Sequence, residues 1–455
     1  MRSETKEQQY KRMTTTPVEK LILTLGIPTI ISMLVTNIYN LADTYFVSTL
    51  GNSASGAIGV VFALMGLIQA FGFTFGMGSG SILSRMLGKG DVDGARVTAS
   101  TGFTMALVCG IVMSALGLVF ISPFMKMLGS TATILPYAAA YARYILLAAP
   151  AMTCSCVLNN VLRYEGKALF SMFGLVSGAI LNILGDFVLI QVFEMGIEGA
   201  GISTMLSQYV SMAVLLMPFL KKQVQTRISF SLVSRNIRDY LRILSVGFPS
   251  LLRQGLTSVS AMALNWCAAP FGDAAIAAMS IVSRVMNFLF CIAIGIGQGF
   301  QPVSAFNYGA EKYDRVKRAF KFMVLFSMGV MSVTGMIGFV FAEPIIKMFR
   351  DDPEVVTIGV RALRISVPAL VILPVSTGGN MLSQSIGKAK QASFLASTRS
   401  GLFYIPVMII ASRVAGLSGI QMSQVIADSL AVCATIPILL QIFGEFPQEK
   451  YANDK

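Results

Sequence analysis

Two carboxylates interrupt long apolar stretches of this chain: Asp43 in NIYNLADTYF and Asp186 in LNILGDFVLI. A charged side chain at the centre of a bilayer costs about 2.5–3.5 kcal/mol on insertion scales, so each calls for partners. Asp43 and Asp186 each lie about seven residues from the outer end of a spanning segment, and Thr204 about seven residues into the next, which places all three roughly 10 Å below the helix ends. Asn182 and Asp186 are four apart and share a helix face, as do Tyr39 and Asp43, with Asn40 a turn before Asp43. The result is an oxygen-rich cluster, half-buried, in which two carboxylates repel until a proton or cation joins them. Asn182 and Thr204 add neutral oxygens of the kind a hard ion such as Na⁺ accepts. The plainer reading is hydrogen bonding that ties helices together.

Other polar residues lie inside the apolar stretches. Asp428, Arg253 and Arg284 are candidates for a second cleft, with Asn265 and Gln298 offering neutral contacts. Pro28 removes an amide donor inside the first spanning segment, so a bend is expected there, serving either movement of Asp43 or static packing. The chain has no histidine, so proton traffic must use carboxylates. All six cysteines fall inside apolar stretches, which argues against a disulfide framework or a thiolate metal site. No cofactor is implied beyond a coupling Na⁺ or H⁺.

The elements that must hold these residues are membrane helices. Of 455 residues, 55% are hydrophobic and 13% charged, and the mean hydropathy is +0.71. A span needs roughly 20 apolar residues, and the sequence supplies that length about twelve times: near 21–48, 55–83, 96–122, 134–160, 168–193, 198–220, 242–268, 275–300, 318–341, 358–384, 392–412 and 420–442. The reading is therefore an all-α polytopic membrane protein of twelve transmembrane helices. It divides into a leader (1–20), a first lobe (21–220), a linker (221–241), a second lobe (242–442) and a tail (443–455). A porin-type barrel would alternate polar and apolar residues instead.

The formal charge of +13 is distributed by loop. Arg2, Lys6, Lys11, Arg12 and Lys20 lie in the leader; Lys221, Lys222, Arg227, Arg235, Arg238 and Arg242 in the middle loop; Lys312, Arg315, Lys317, Arg318 and Lys321 after the eighth span. The intervening LGNSAS and FEMGIEG have no basic residue. Positive charge stays inside, so both ends and the middle loop are expected in the cytoplasm, and nucleic acid is not the partner. The first span is too long for a cleaved signal peptide.

The chain repeats itself. GMGSGSILSRMLGKGDVDGARV from Gly76 overlays GIGQGFQPVSAFNYGAEKYDRV from Gly295 without a gap; Arg143 and Pro150 overlay Arg361 and Pro368; and GKA recurs at Gly166 and Gly387. Repeats on one membrane side imply two parallel six-helix bundles about an axis along the membrane normal, with a cleft between them that rocking can expose to either side. The 27 Met and 30 Phe give flexible and aromatic surface for a cleft of varied guests.

Three function classes fit poorly. No GxxxxGK[ST] occurs, since the GK pairs at Gly88, Gly166 and Gly387 are followed by Gly or Ala, so an autonomous ATP-driven pump is not expected. An enzyme would want a polar catalytic group near an interface, and the carboxylates are deep. A scaffold without transport has no evident need for a cleft. A flippase for a lipid-linked oligosaccharide or other amphipathic lipid remains open, because Arg253 and Arg284 could meet phosphates.

From PTIISMLVTNIYNLADTYFV through the GKGD region to the last helix, the sequence resembles the multidrug and toxic compound extrusion (MATE) family, in particular its prokaryotic branch of MepA-like exporters. Asp43, Asn182, Asp186 and Thr204 match the family's cation-site pattern, and Pro28 its bending-helix proline. The resemblance implies a V-shaped pair of six-helix lobes and antiport, with amphipathic, mostly cationic drugs leaving as Na⁺ or H⁺ enters. It implies a functional monomer in the lipid of a prokaryotic cell (inner) membrane, with no obligate protein partner. Some branches carry an acidic residue in the seventh helix; LTSVSAMALNWCAAPF has none, which favours the first-lobe site.

Overall fold

The computed structural model describes residues 4–447; the last part of the tail, 448–455, and the first three residues lie outside it. Within the leader, Thr5 caps a short helix α1 (Lys6–Thr15) through a reciprocal box with Gln8. The first lobe follows as α2 (Val18–Ser48), α3 (Asn52–Gly88), α4 (Val92–Val119), the short α5 (Ile121–Met127), α6 (Leu135–Tyr164), α7 (Ala168–Asp186) and α8 (Gly196–Leu220). After the linker come α9 (Ile237–Ala268), α10 (Asp273–Gly309), α11 (Tyr313–Val340), the short α12 (Ala342–Phe349), α13 (Pro353–Ser385), α14 (Ala389–Ser397) and α15 (Tyr404–Gly444). A π-helical turn continues α7 (Phe187–Val192), and another joins α14 to α15 (Thr398–Leu402).

Among the described residues, ten helices are long and apolar enough to cross a membrane, against the twelve spans expected. One difference is α9, diluted by Arg253, Gln254, Thr257, Ser258 and Asn265. The other is Ala389–Gly444, which runs as one helical stretch of 56 residues. It is broken at Gly416 (φ 58°, ψ −137°). Arg399 and Asp428, on either side of that break, are hydrogen-bonded at 3.2 Å. In a straight helix, residues so far apart in sequence would be separated by roughly 40 Å, so the chain doubles back.

The halves meet through glycines, and the contacts are reciprocal. A Cβ on Gly78 would collide with the carbonyl of Ile243, and one on Gly299 with that of Ile22; Gly88 and Gly309 stand in the same relation to Phe306 and Arg85. Gly247 likewise abuts the Thr74 carbonyl, as Gly26 does that of Gly295. Thus α3 packs on α9 and α10 packs on α2, backbone to backbone.

These exchanges fix one register, in which Gly26, Gly78 and Gly88 correspond to Gly247, Gly299 and Gly309. The GKA pairing obeys it, and Gly166 and Gly387 share a left-handed backbone (φ +79° and +85°) at the turn into α7 and α14. The gapless glycine overlay and the Arg-Pro overlay do not: they maximise coincident letters and miss this register by two or three residues. Pro28 corresponds to Pro249, each inside the first long helix of its half. α2 remains one helix through Pro28.

On the side bearing both chain ends, α1 straps the halves together. Gln9 donates to the carbonyl of Glu165 (2.8 Å), and Lys6 to that of Gly90 (2.6 Å), in the first half. Asn307 and Arg315 of the second half donate to the carbonyl of Met13, and Arg315 also to that of Thr16.

Candidate ion-coupling site

Four helices converge on the carboxylates. α2 brings Asp43, α6 Tyr141, α7 Asn182 and Asp186, and α8 Ser203 and Thr204; Asp43, Asp186 and Thr204 were expected at one depth, and Asn182 on the face of Asp186. Asp43 is 2% exposed and Asp186 fully enclosed. Gly185 has no side chain where Ser203 presses against α7, and this close approach lets α8 reach Asn182.

The hydrogen bonds form a chain. Tyr141 donates to Asp43 Oδ2 (3.0 Å) and lies 3.4 Å from the Thr204 hydroxyl. The Asn182 amide donates to Thr204 Oγ1 (3.1 Å), and Ser203 donates to the Asn182 carbonyl (2.9 Å). The Asp43 and Asp186 carboxyl groups adjoin each other. Among the described residues, Asp43 Oδ1, both Asp186 oxygens and Asn182 Oδ1 are buried without a hydrogen-bond partner.

Four partnerless acceptors in one enclosed space are costly, and a proton or a small hard cation would satisfy them together. The donor set is all oxygen, which fits Na⁺. Among the described residues no group of three His, Cys, Asp or Glu could hold a metal ion. Among the described residues the two carboxylates are joined by neutral oxygens from Asn182, Thr204, Ser203 and Tyr141.

A cavity of about 120 Å³ opens beside this site, lined among others by Thr36, Tyr39, Gln69, Asn159 and Asn182. Tyr39 thus faces the cavity, and Asn40 is half-buried on α2. The second-half candidates do not form one cluster. Gln298 is bonded to Arg163 of the first half, and Asp428 to Arg399 and Gln424. Arg253 lines a separate cavity with Arg399, while Asn265 and Arg284 are exposed.

Sequence reasoning missed Tyr141, Ser203 and Arg399. Tyr141 had a signal, one of several tyrosines in PYAAAYARY, but only packing selects which of them faces α2. In the established register the positions of Asp43, Asn182 and Asp186 are taken in the second half by Leu264, Phe403 and Val407, and past the last loop, where the left-handed Gly196 pairs with Gly416, that of Thr204 by Gln424. The carboxylate site has no duplicate.

A multi-pass helical membrane protein built of two like halves around one buried carboxylate pair has the build of a secondary transporter. The chain matches the MatE family twice, at residues 28–188 and 249–410, and belongs to that family. It is 26% identical to the multidrug export protein MepA of Staphylococcus saprophyticus over 95% of this chain and 96% of that one. To MepA of Staphylococcus aureus strain MSSA476 it is 27% identical, again over 95% and 96%. An outward-facing multidrug resistance MATE family transporter of the MOP superfamily superposes with a TM-score of 0.91 at 25% identity, covering 96% of this chain and 98% of that one.

Proposed function

We propose that this chain is a secondary active antiporter that exports amphipathic, mostly cationic organic compounds from a bacterial cell in exchange for Na⁺ or H⁺. On this reading twelve spans form two parallel six-helix lobes, counting α9 as one crossing and Ala389–Gly444 as two, and a single copy suffices for transport. Both termini and the basic linker lie in the cytoplasm.

The observation that carries the reading is the cluster of four buried oxygens without hydrogen-bond partners on Asp43, Asp186 and Asn182. An ion bound there neutralises the pair; an ionised pair attracts a cationic guest in the adjoining cavity. Export of drugs is what the MepA proteins are named for, and the full-length match supports extending it to this chain.

Asp43→Asn and Asp186→Asn test the proposal in reconstituted vesicles. Each is expected to fold and to lose ion-gradient-driven efflux; normal gradient-driven efflux by both would refute it. Cysteine labelling at Ser229 tests the orientation: a cytoplasmic linker labels from the cytoplasmic face, and labelling only from outside would invert the topology.

A further inference from the structure

The half that lacks the carboxylates has a charged cluster of its own, of opposite sign. A cavity of about 170 Å³ is lined among others by Arg253, Arg399, Gln254, Thr257, Asn287 and Asn380. In the register of the two halves, Asn380 corresponds to Asn159 and Arg399 to Gly178, both of which line the first-half cavity. Equivalent pockets have therefore diverged. Arg253 and Arg399 stand where the first half has Ser32 and Gly178, and Asp428, past the loop where Gly196 pairs with Gly416, stands where it has Gln208.

The charges here do not cancel. Asp428 is fully enclosed and accepts from the Arg399 Nε at 3.2 Å, and the Arg399 guanidinium lies 4.4 Å over the Phe290 ring. That leaves its two terminal nitrogens without a hydrogen-bond partner among the described residues, and Arg253 has no side-chain partner at all among them. Guanidinium stays charged at any accessible pH. One carboxylate thus stands against two cations, beside neutral donors from Gln254 and Asn287.

We propose that this second-half cavity binds the oxyanion of an amphipathic guest, a carboxylate or a phosphate. Two forked cations a short reach apart match two oxygens of one such group, and Phe290, Ile294, Met381 and Leu395 supply apolar wall for its body. The site is independent of ion coupling at Asp43 and Asp186. It extends the range of guests from cations to zwitterions and anions.

The test uses the purified full chain in detergent and a fluorescent pair, 11-(dansylamino)undecanoic acid and its methyl ester. The acid is expected to bind about tenfold tighter than the ester, the scale of one charge-assisted hydrogen bond. Arg253→Gln should remove most of that preference while leaving ester binding unchanged, which also shows that the variant is folded; Arg253→Lys should restore part of it. Asp428→Asn, by releasing Arg399, should tighten binding of the acid. Displacement by dodecanoate or by dodecyl phosphate then identifies carboxylate or phosphate as the better ligand. Equal affinity for acid and ester, an acid preference insensitive to both Arg253→Gln and Arg399→Gln, or weaker acid binding in Asp428→Asn would overturn the proposal. Loss of gradient-driven efflux in Asp186→Asn with the acid preference intact separates this site from the coupling site.

Discussion

Tyr141 donates its hydroxyl hydrogen to Oδ2 of Asp43 across 3.0 Å, joining α6 to α2 inside an enclosed site. The same hydroxyl lies 3.4 Å from Thr204, so a single phenol orients a carboxylate and adjoins a neutral oxygen of the candidate ion site. Tyr141→Phe should preserve folding and leave Asp43 without its only donor among the described residues. A hydrogen bond to a charged group contributes about 1.5–3 kcal/mol, so the ion concentration giving half-maximal transport should rise about tenfold or more. An unchanged ion dependence would remove Tyr141 from the site.

Gly247 and Gly309 each face a backbone carbonyl of the other half, Thr74 and Arg85 respectively. Backbone cannot step aside as a side chain can, so Gly247→Ala or Gly309→Ala should force the halves apart on the side of the chain ends at a cost of about 1–3 kcal/mol. Cysteine reporters placed at Ser81 and Ser385, which lie at this seam, should become more reactive in either variant. Reactivity equal to that of the parent would show the seam to be compliant.

Glu165 closes the turn after α6 onto the linker: it accepts from the Thr226 hydroxyl and from the backbone amides of Gln225 and Thr226. Burial pushes its carboxyl above the usual range, and those hydrogen bonds bring it partly back. The folded protein therefore holds this proton more tightly than the unfolded chain. The stabilisation is complete below the ordinary Glu range, about 4.3, and is lost as pH rises through the raised folded value. The melting temperature of the parent, relative to Glu165→Gln, should fall across that window. A constant difference between the two would contradict the clamp.

Much of this arrangement was legible in the sequence because membrane helices are specified by composition. Apolar runs set the long helices. The grouping of Asp43, Asp186 and Thr204 came from counting residues from helix ends, and that of Asn182 from its spacing to Asp186; neither fixes how one helix is rotated toward another. Rotation is what selected Tyr141 over Tyr137 and Tyr144, and it depends on α6 packing against α2 and α8. The register of the halves was misread for a similar reason: glycines crowd this sequence, and letters alone do not say which glycine meets which carbonyl. The reversal at Gly416 falls between the segments 392–412 and 420–442 that the hydropathy separated, although helix runs on either side of it without a long loop. Arg399 was missed because its partner, Asp428, lies beyond that reversal.

The central claim is that the coupling ion and a cationic guest act on the same carboxylate pair. It is tested most directly by binding of a fluorescent organic cation to the purified protein, scanned over pH with and without Na⁺ at fixed ionic strength. An ionised pair attracts the guest and a neutralised pair does not, so affinity should fall as pH falls or as Na⁺ is added, and linkage requires the guest to weaken ion binding by the same factor. Sensitivity to Na⁺ identifies sodium coupling, and sensitivity to pH alone identifies protons. The Asp43→Asn, Asp186→Asn double variant should bind with an affinity independent of both. Affinity in the parent that responds to neither, while an imposed ion gradient still drives efflux, would contradict the account.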